Sequence, residues 1–189
     1  SDTADGATTT HSDTGESYTD NVARTHAPAV WNRYGTQGGS VQVAVLDTGV
    51  APDHPDLSIT SSNWAEFDPN GSSLRSAPYD DNGHGTHVSG LVAGGNASGK
   101  WIGTAPNATL LHGKVLDSTG SGTFAQFVAG LEWAIEAKAD VVIMSFGVED
   151  KSAPFVTPIA NAEEVGVPVV ASVGNDGVNT SSSPANVYE

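Results

Sequence analysis

The run formed by Val41, Val43, Ala44, Val45 and Leu46 is too continuously apolar, and too rich in β-branched residues, for a strand with one wet face. It predicts a central strand covered on both sides, so the remaining chain must supply helices to each face of a sheet. The pattern that follows does so. A helix is expected over Thr25–Tyr34, punctuated by Gly35, Gly38 and Gly39, and another from about His84 to Gly94. A strand is then expected over Thr109–Leu116, a helix over Thr123–Ala139, a strand over Val141–Ser145, a helix over Pro154–Val165 and a strand over Val167–Val173. In the long middle helix, Phe124, Phe127, Val128, Leu131, Trp133, Ala134 and Ile135 recur at spacings of three and four and build an apolar stripe. Strands alternating with helices imply an α/β fold of three layers, a mostly parallel sheet with helices on both faces. At 189 residues and 38% apolar composition there is material for one core and one domain. Residues 1–20, rich in Thr, Ser, Asp and Gly, bury too little to offset their ordering entropy, so residues 1–24 are expected to be a flexible leader to a domain over 25–189.

Ligands gather beyond the carboxyl ends of strands in such sheets, and polar residues stand at three of these ends. Asp47 follows Leu46, Ser145 and Gly147 close the strand begun at Val141, and Asn175 closes the one begun at Val167. Alone, Asp47 reads equally as a turn or cap residue. The stretch Asp80-Asp81-Asn82-Gly83-His84-Gly85-Thr86-His87-Val88-Ser89-Gly90 surrounds His84 with small residues at a helix start, leaving its ring approachable. Taken by itself, His84 is still compatible with a structural histidine bonded to a backbone carbonyl.

In combination these segments acquire a meaning that none has singly. Val45-Leu46-Asp47-Thr48-Gly49-Val50 with His54-Pro55-Asp56-Leu57 resembles the aspartate segment of the subtilisin-like serine proteases, and His84-Gly85-Thr86-His87-Val88-Ser89-Gly90 resembles their histidine motif. Three further matches follow in order: Lys114-Val115-Leu116 with Gly120-Ser121-Gly122, then Ser145-Phe146-Gly147, then Ser172-Val173-Gly174-Asn175-Asp176-Gly177. The resemblance covers about residues 41–177 and implies peptide-bond hydrolysis through a covalent acyl-enzyme. It implies His84 as the general base, Asp47 as the carboxylate orienting it, Asn175 as a donor to the oxyanion, and His87 as buried structure. A peptide or protein substrate is expected to lie as an added strand between Gly120-Ser121-Gly122 and Ser145-Phe146-Gly147. Phe146 and Val148 depart from the commoner Leu and Gly of that segment. Structural calcium is implied at Asp56 and the Asn96 loop, although Ala97 stands where an amide ligand is common.

The nucleophile segment, Gly-Thr-Ser followed by small and apolar residues, does not occur among these residues. The expectation is therefore an N-terminal portion of the catalytic domain, its sheet incomplete on the C-terminal side and without triad activity of its own. A competing reading is a short homologue that has lost catalysis and binds peptides as a decoy. The retention of Asp47, His84 and Asn175 together argues against it. A metallohydrolase using His84, His87 and Asp47 fits no zinc spacing.

Charge bounds the partners. With 22 Asp and Glu against 7 Lys and Arg, the formal charge is -15, which excludes nucleic acid and anionic membranes as favoured partners. No apolar run approaches the ~20 residues that span a bilayer, and no cysteine is present for disulfides or thiolate chemistry. The family resemblance implies an extracellular monomer, and the acidity suggests adaptation to salt. Dense carboxylates repel at low ionic strength, and molar salt, with a Debye length of ~3 Å, removes that repulsion. Circular dichroism across a salt series is accordingly expected to show loss of structure in dilute buffer and its recovery in molar potassium chloride. Equal stability in both would remove carboxylate repulsion as a determinant.

Overall fold

The computed structural model describes residues 17–149, 153–175, 177 and 180–186. Two short helices, α1 (Asp20–Arg24) and α2 (Ala27–Tyr34), precede the central strand β1 (Gln42–Asp47). A 3-10 turn leads to β2 (Trp64–Phe67) and the two-residue β3 (Ser73–Leu74). Next come α3 (His84–Ala93), β4 (Thr109–Lys114), α4 (Phe124–Glu136), β5 (Val141–Met144) and β6 (Val148–Glu149). The described chain closes with α5 (Val156–Glu164), β7 (Val169–Ala171) and β8 (Ser182–Ser183).

Six strands form one sheet in the order β3-β2-β4-β1-β5-β7, parallel except for β3, while β6 and β8 pair separately. The expected three-layer arrangement is present. Side chains alternate across β1: Ala44 and Leu46 join the core beneath α4 and α5, and Val45 joins Val88 and Ala93 of α3 on the other face. α4 starts where the sequence provides a capping box. The Thr123 hydroxyl accepts from the Gln126 amide at 3.2 Å and the Gln126 side chain accepts from the Thr123 amide at 2.9 Å. Glycine lets this helix approach the sheet, since a methyl on Gly113 would lie 2.7 Å from Leu46 Cδ2 and one on Gly130 only 2.5 Å from Val115 Cγ1.

The structure departs from the sequence-based expectation in four places. Of the leader expected over residues 1–24, residues 1–16 lie outside the described residues, while 17–24 are tied to the domain: Thr19 donates from its amide to the Trp101 carbonyl at 3.0 Å, and Val22 is fully buried. The helix expected over 25–34 begins only at Ala27, after His26 caps it with a left-handed φ of 57°, and Pro28 stands in its first turn. β2, β3, β6 and β8 have no counterpart in that expectation, being too short for periodicity to register. α4 ends at Glu136 because Lys138 takes a φ of 63°, which no continuing helix allows.

Leu46 links the central strand to the α4 layer and is fully buried. Leu46→Ala is expected to cost about 2 to 5 kcal/mol in urea unfolding, because the space between Gly113 and Gly130 cannot collapse around a methyl. A loss below about 1 kcal/mol would mean the layer repacks freely.

Candidate active site

β1 delivers Asp47 to the sheet's carboxyl edge, where the side chain is wholly buried. α3 begins at His84, and its Nδ1 lies 2.7 Å from Asp47 Oδ1. A carboxylate only accepts, so this bond fixes the proton on Nδ1 and leaves Nε2 with its lone pair. The histidine side chain is 44% exposed, so that nitrogen is open to a reacting group. Asp47 Oδ1 also accepts from the Thr48 amide at 2.7 Å, whereas Oδ2 is buried with no partner among the described residues. Burial pushes the Asp47 carboxyl above the ordinary carboxylate range, opposed by the bonds from His84 and Thr48.

The pair is held by Asp80. Its Oδ1 accepts from the Thr48 hydroxyl at 3.0 Å and from the amides of Asn82 and Gly83 at 3.1 and 2.9 Å. Its Oδ2 accepts from the Thr86 amide and hydroxyl at 2.9 and 2.5 Å. The two threonines pass the tie onward, Thr48 Oγ1 accepting from the Gly85 amide and Thr86 Oγ1 from the Ala51 amide, each at 2.9 Å. Gly85 must be glycine, because a methyl there would stand 2.2 Å from the Gly49 carbonyl. Although burial raises it, these donors, Thr86 foremost, hold the Asp80 carboxyl far below its usual range.

Two buried polar residues of β4 support the same floor. Lys114 donates to the carbonyls of Thr48 and Leu116 and to Asp81 Oδ1 at 2.8 Å, and lies 5.0 Å from the Tyr79 ring centre. His112 stacks on Trp64 at 5.9 Å, and its Nδ1 pairs with the Ser89 hydroxyl of α3 at 3.0 Å. Sequence reasoning assigned no role to Asp80, Lys114 or His112. The available signal was a charged or polar side chain inside the apolar run Leu110-Leu111-His112-Gly113-Lys114, which must find partners if the strand is buried.

The expected groove residues gather at the same edge. Gly120, Ser121, Gly122, Phe146 and Gly147 border one cavity of about 420 Å³. Phe124, Phe127 and Phe155 complete an aromatic wall, with ring centres of Phe127 and Phe155 4.7 Å apart. Ser145 follows directly on β5. Gly120 has a turn φ of 79°, and a methyl on Gly122 would meet the Val115 carbonyl at 2.4 Å, so both glycines serve the fold of their own loop. Asn175 is exposed beyond β7, at the edge that also carries Asp47, and no hydrogen bond among the described residues joins it to the pair. Asp176, quoted with it in the motif, lies outside the described residues. His87, expected to be buried, is exposed: it bounds a surface cavity with His54, Leu91 and Ile102.

The model of the subtilase family matches residues 38–189. The chain belongs to that family. It is 40% identical over 163 residues to Subtilisin E of Bacillus subtilis (strain 168), covering 86% of this chain and 41% of the relative. Identity is 43% over 164 residues both to Subtilisin Savinase of Lederbergia lenta, covering 87% and 58%, and to an alkaline protease of Shouchella clausii, covering 87% and 41%. This subtilase chain thus spans between about two fifths and three fifths of the length of the curated relatives it matches.

The subtilase pair sits on groups whose protonation couples to stability. Burial holds His112 down to about 3, against an ordinary value of ~6.5, so between these limits the unfolded chain binds a proton that the folded chain does not. Stability therefore falls as pH drops from ~6.5 toward 3. Asp80, with a depressed folded value, adds stability present above ~4 that is lost at lower pH. The urea midpoint is expected to fall between pH 7 and 5, and His112→Gln is expected to flatten that fall. An unchanged slope in the variant would remove His112 as its source.

Proposed function

We propose that this chain provides the acid–base half of a serine endopeptidase acting by acyl transfer. The observation that carries the reading is the 2.7 Å bond from His84 Nδ1 to a buried Asp47, with the rest of the imidazole facing solvent. A serine hydroxyl is a weak nucleophile, so His84 Nε2 takes its proton during attack on the peptide carbonyl and returns it to the leaving amine. Asp47 keeps the tautomer and stabilises the transient imidazolium. Asn175 is the amide donor to the oxyanion. The substrate main chain pairs between residues 120–122 and 145–147, and the cavity walled by Phe124, Phe127, Phe146 and Phe155 takes a large apolar side chain of that substrate. The whole protein acts on extracellular peptides or proteins as a monomer, with the surface charge of -15 suited to salt.

The test uses the chain continued through the nucleophile segment. A fluorophosphonate is expected to label one serine covalently, read by mass spectrometry; a folded, unlabelled protein would favour the peptide-binding decoy. On a peptide amide, His84→Ala is expected to cost most, Asp47→Asn ~10⁴-fold in kcat, and Asn175→Ala ~10² to 10³-fold with KM nearly unchanged. An Asn175→Ala effect confined to KM would overturn the oxyanion assignment.

A further inference from the structure

Asp56 and the loop Gly95-Asn96-Ala97-Ser98-Gly99-Lys100 are where the family resemblance puts structural calcium, and the hydrogen bonds of this loop run opposite to what a cation requires. The neck of the loop is closed by main chain alone. Gly103 donates to the Gly94 carbonyl at 3.0 Å and Ile102 to the Gly95 carbonyl at 3.1 Å. The approach is so close that a methyl on Gly103 would lie 2.3 Å from the Gly94 nitrogen.

Asp56, itself buried in the turn after β1, reaches into this loop. Its carbonyl accepts from the Gly95 amide at 2.7 Å and its Oδ1 from the Ser98 amide at 3.1 Å. Calcium takes six to eight oxygens at about 2.3 to 2.6 Å, most of them carbonyls and carboxylates aimed inward. Here the carbonyl of Asn96 is engaged by the Gly99 amide at 2.9 Å, and that of Trp101 by the amide and hydroxyl of Thr19 at 3.0 and 3.1 Å. Ala97 brings no donor atom in its side chain, and Lys100 brings a positive charge to the loop. Among the described residues no three His, Cys, Asp or Glu side chains are grouped for a metal. The Ser98 amide aimed at the Asp56 carboxylate and the Gly95 amide aimed at the Asp56 carbonyl put positive dipole ends where a cation needs oxygens.

We propose that Asp56 itself closes the 95–99 loop, its carboxylate as an internal anion bonded to the Ser98 amide and its carbonyl to the Gly95 amide, and that this subtilase chain binds no calcium there. Burial acts to raise the Asp56 carboxyl, yet the Ser98 hydroxyl and the amides of Ser98 and Ala97 hold it below the ordinary range, as expected of a carboxylate among donors. Asp56 and Asn96, expected as calcium ligands, are on this reading the latch and the strand of loop that it fastens.

The test is made on the unmodified chain in chelator, then in ~10 mM calcium, a concentration that fills even weak extracellular sites. Hydrogen exchange at the Ser98 amide is expected to be protected in chelator and unchanged by calcium, with the melting temperature equal in both. Terbium, whose emission Trp101 would sensitise, is expected to give no saturable signal that calcium displaces. Asp56→Asn is expected to speed Ser98 exchange by at least about tenfold, equally with and without calcium, consistent with loss of a charge-assisted bond. Ser98 protection that appears only with calcium, or saturable terbium emission abolished by Asp56→Asn, would overturn the proposal.

Discussion

The Asp80 carboxylate joins the end of the central strand to the start of the helix that carries His84. Five donors fall on its two oxygens, from Thr48 on one segment and from Asn82, Gly83 and Thr86 on the other. Without that tie the Asp47–His84 bond would have to order two chain segments by itself, at the expense of their backbone entropy. With it, both side chains arrive already oriented, and the 2.7 Å contact is a consequence of the scaffold. Because Asp80 carries charge and is shielded from full solvation, each of these bonds is charge-assisted and among the stronger kinds available to a neutral donor.

Around this tie the sheet supplies rigidity. β1 is sandwiched between α3 on one face and α4 with α5 on the other, so the position of Asp47 is set by two cores at once. Burial on both faces removes the polar groups of β4 from solvent: Lys114 donates to two carbonyls and Asp81, and His112 Nδ1 pairs with the Ser89 hydroxyl beneath the site, while His112 Nε2 is left with no partner among the described residues. The same logic explains the glycines: at 49, 85, 113 and 130 two backbone or side-chain surfaces meet too closely for a methyl. The exposed His84 thus stands above a closely packed floor.

Much of the fold was legible because its signals are local and periodic. The apolar run before Asp47 and the stripe of α4 each follow from residues within a few positions of one another. What escaped were elements made by distant partners. β2 is four residues long and exists because Trp64, Ala65 and Glu66 align with residues 112–114 of β4. Thr19 and Asn21 are tied to the carbonyls of Trp101 and Ile102 some eighty positions away, which composition near the N-terminus cannot reveal.

By itself the sequence determined the alternation of strands and helices, the polar residues at strand ends, and the motifs around Asp47 and His84, because these depend on short-range periodicity and on chemistry that tolerates few residue types. Only the tertiary structure decided that Asp80 is the tie between them, that His87 faces outward, that two phenylalanines of α4 and two from beyond β5 wall one cavity, and that the amides of Gly95 and Ser98 turn toward Asp56. The physical reason is common to all four. A hydrogen bond or a cavity wall depends on direction as well as residue type, and direction is fixed only when chain segments remote in sequence pack against each other.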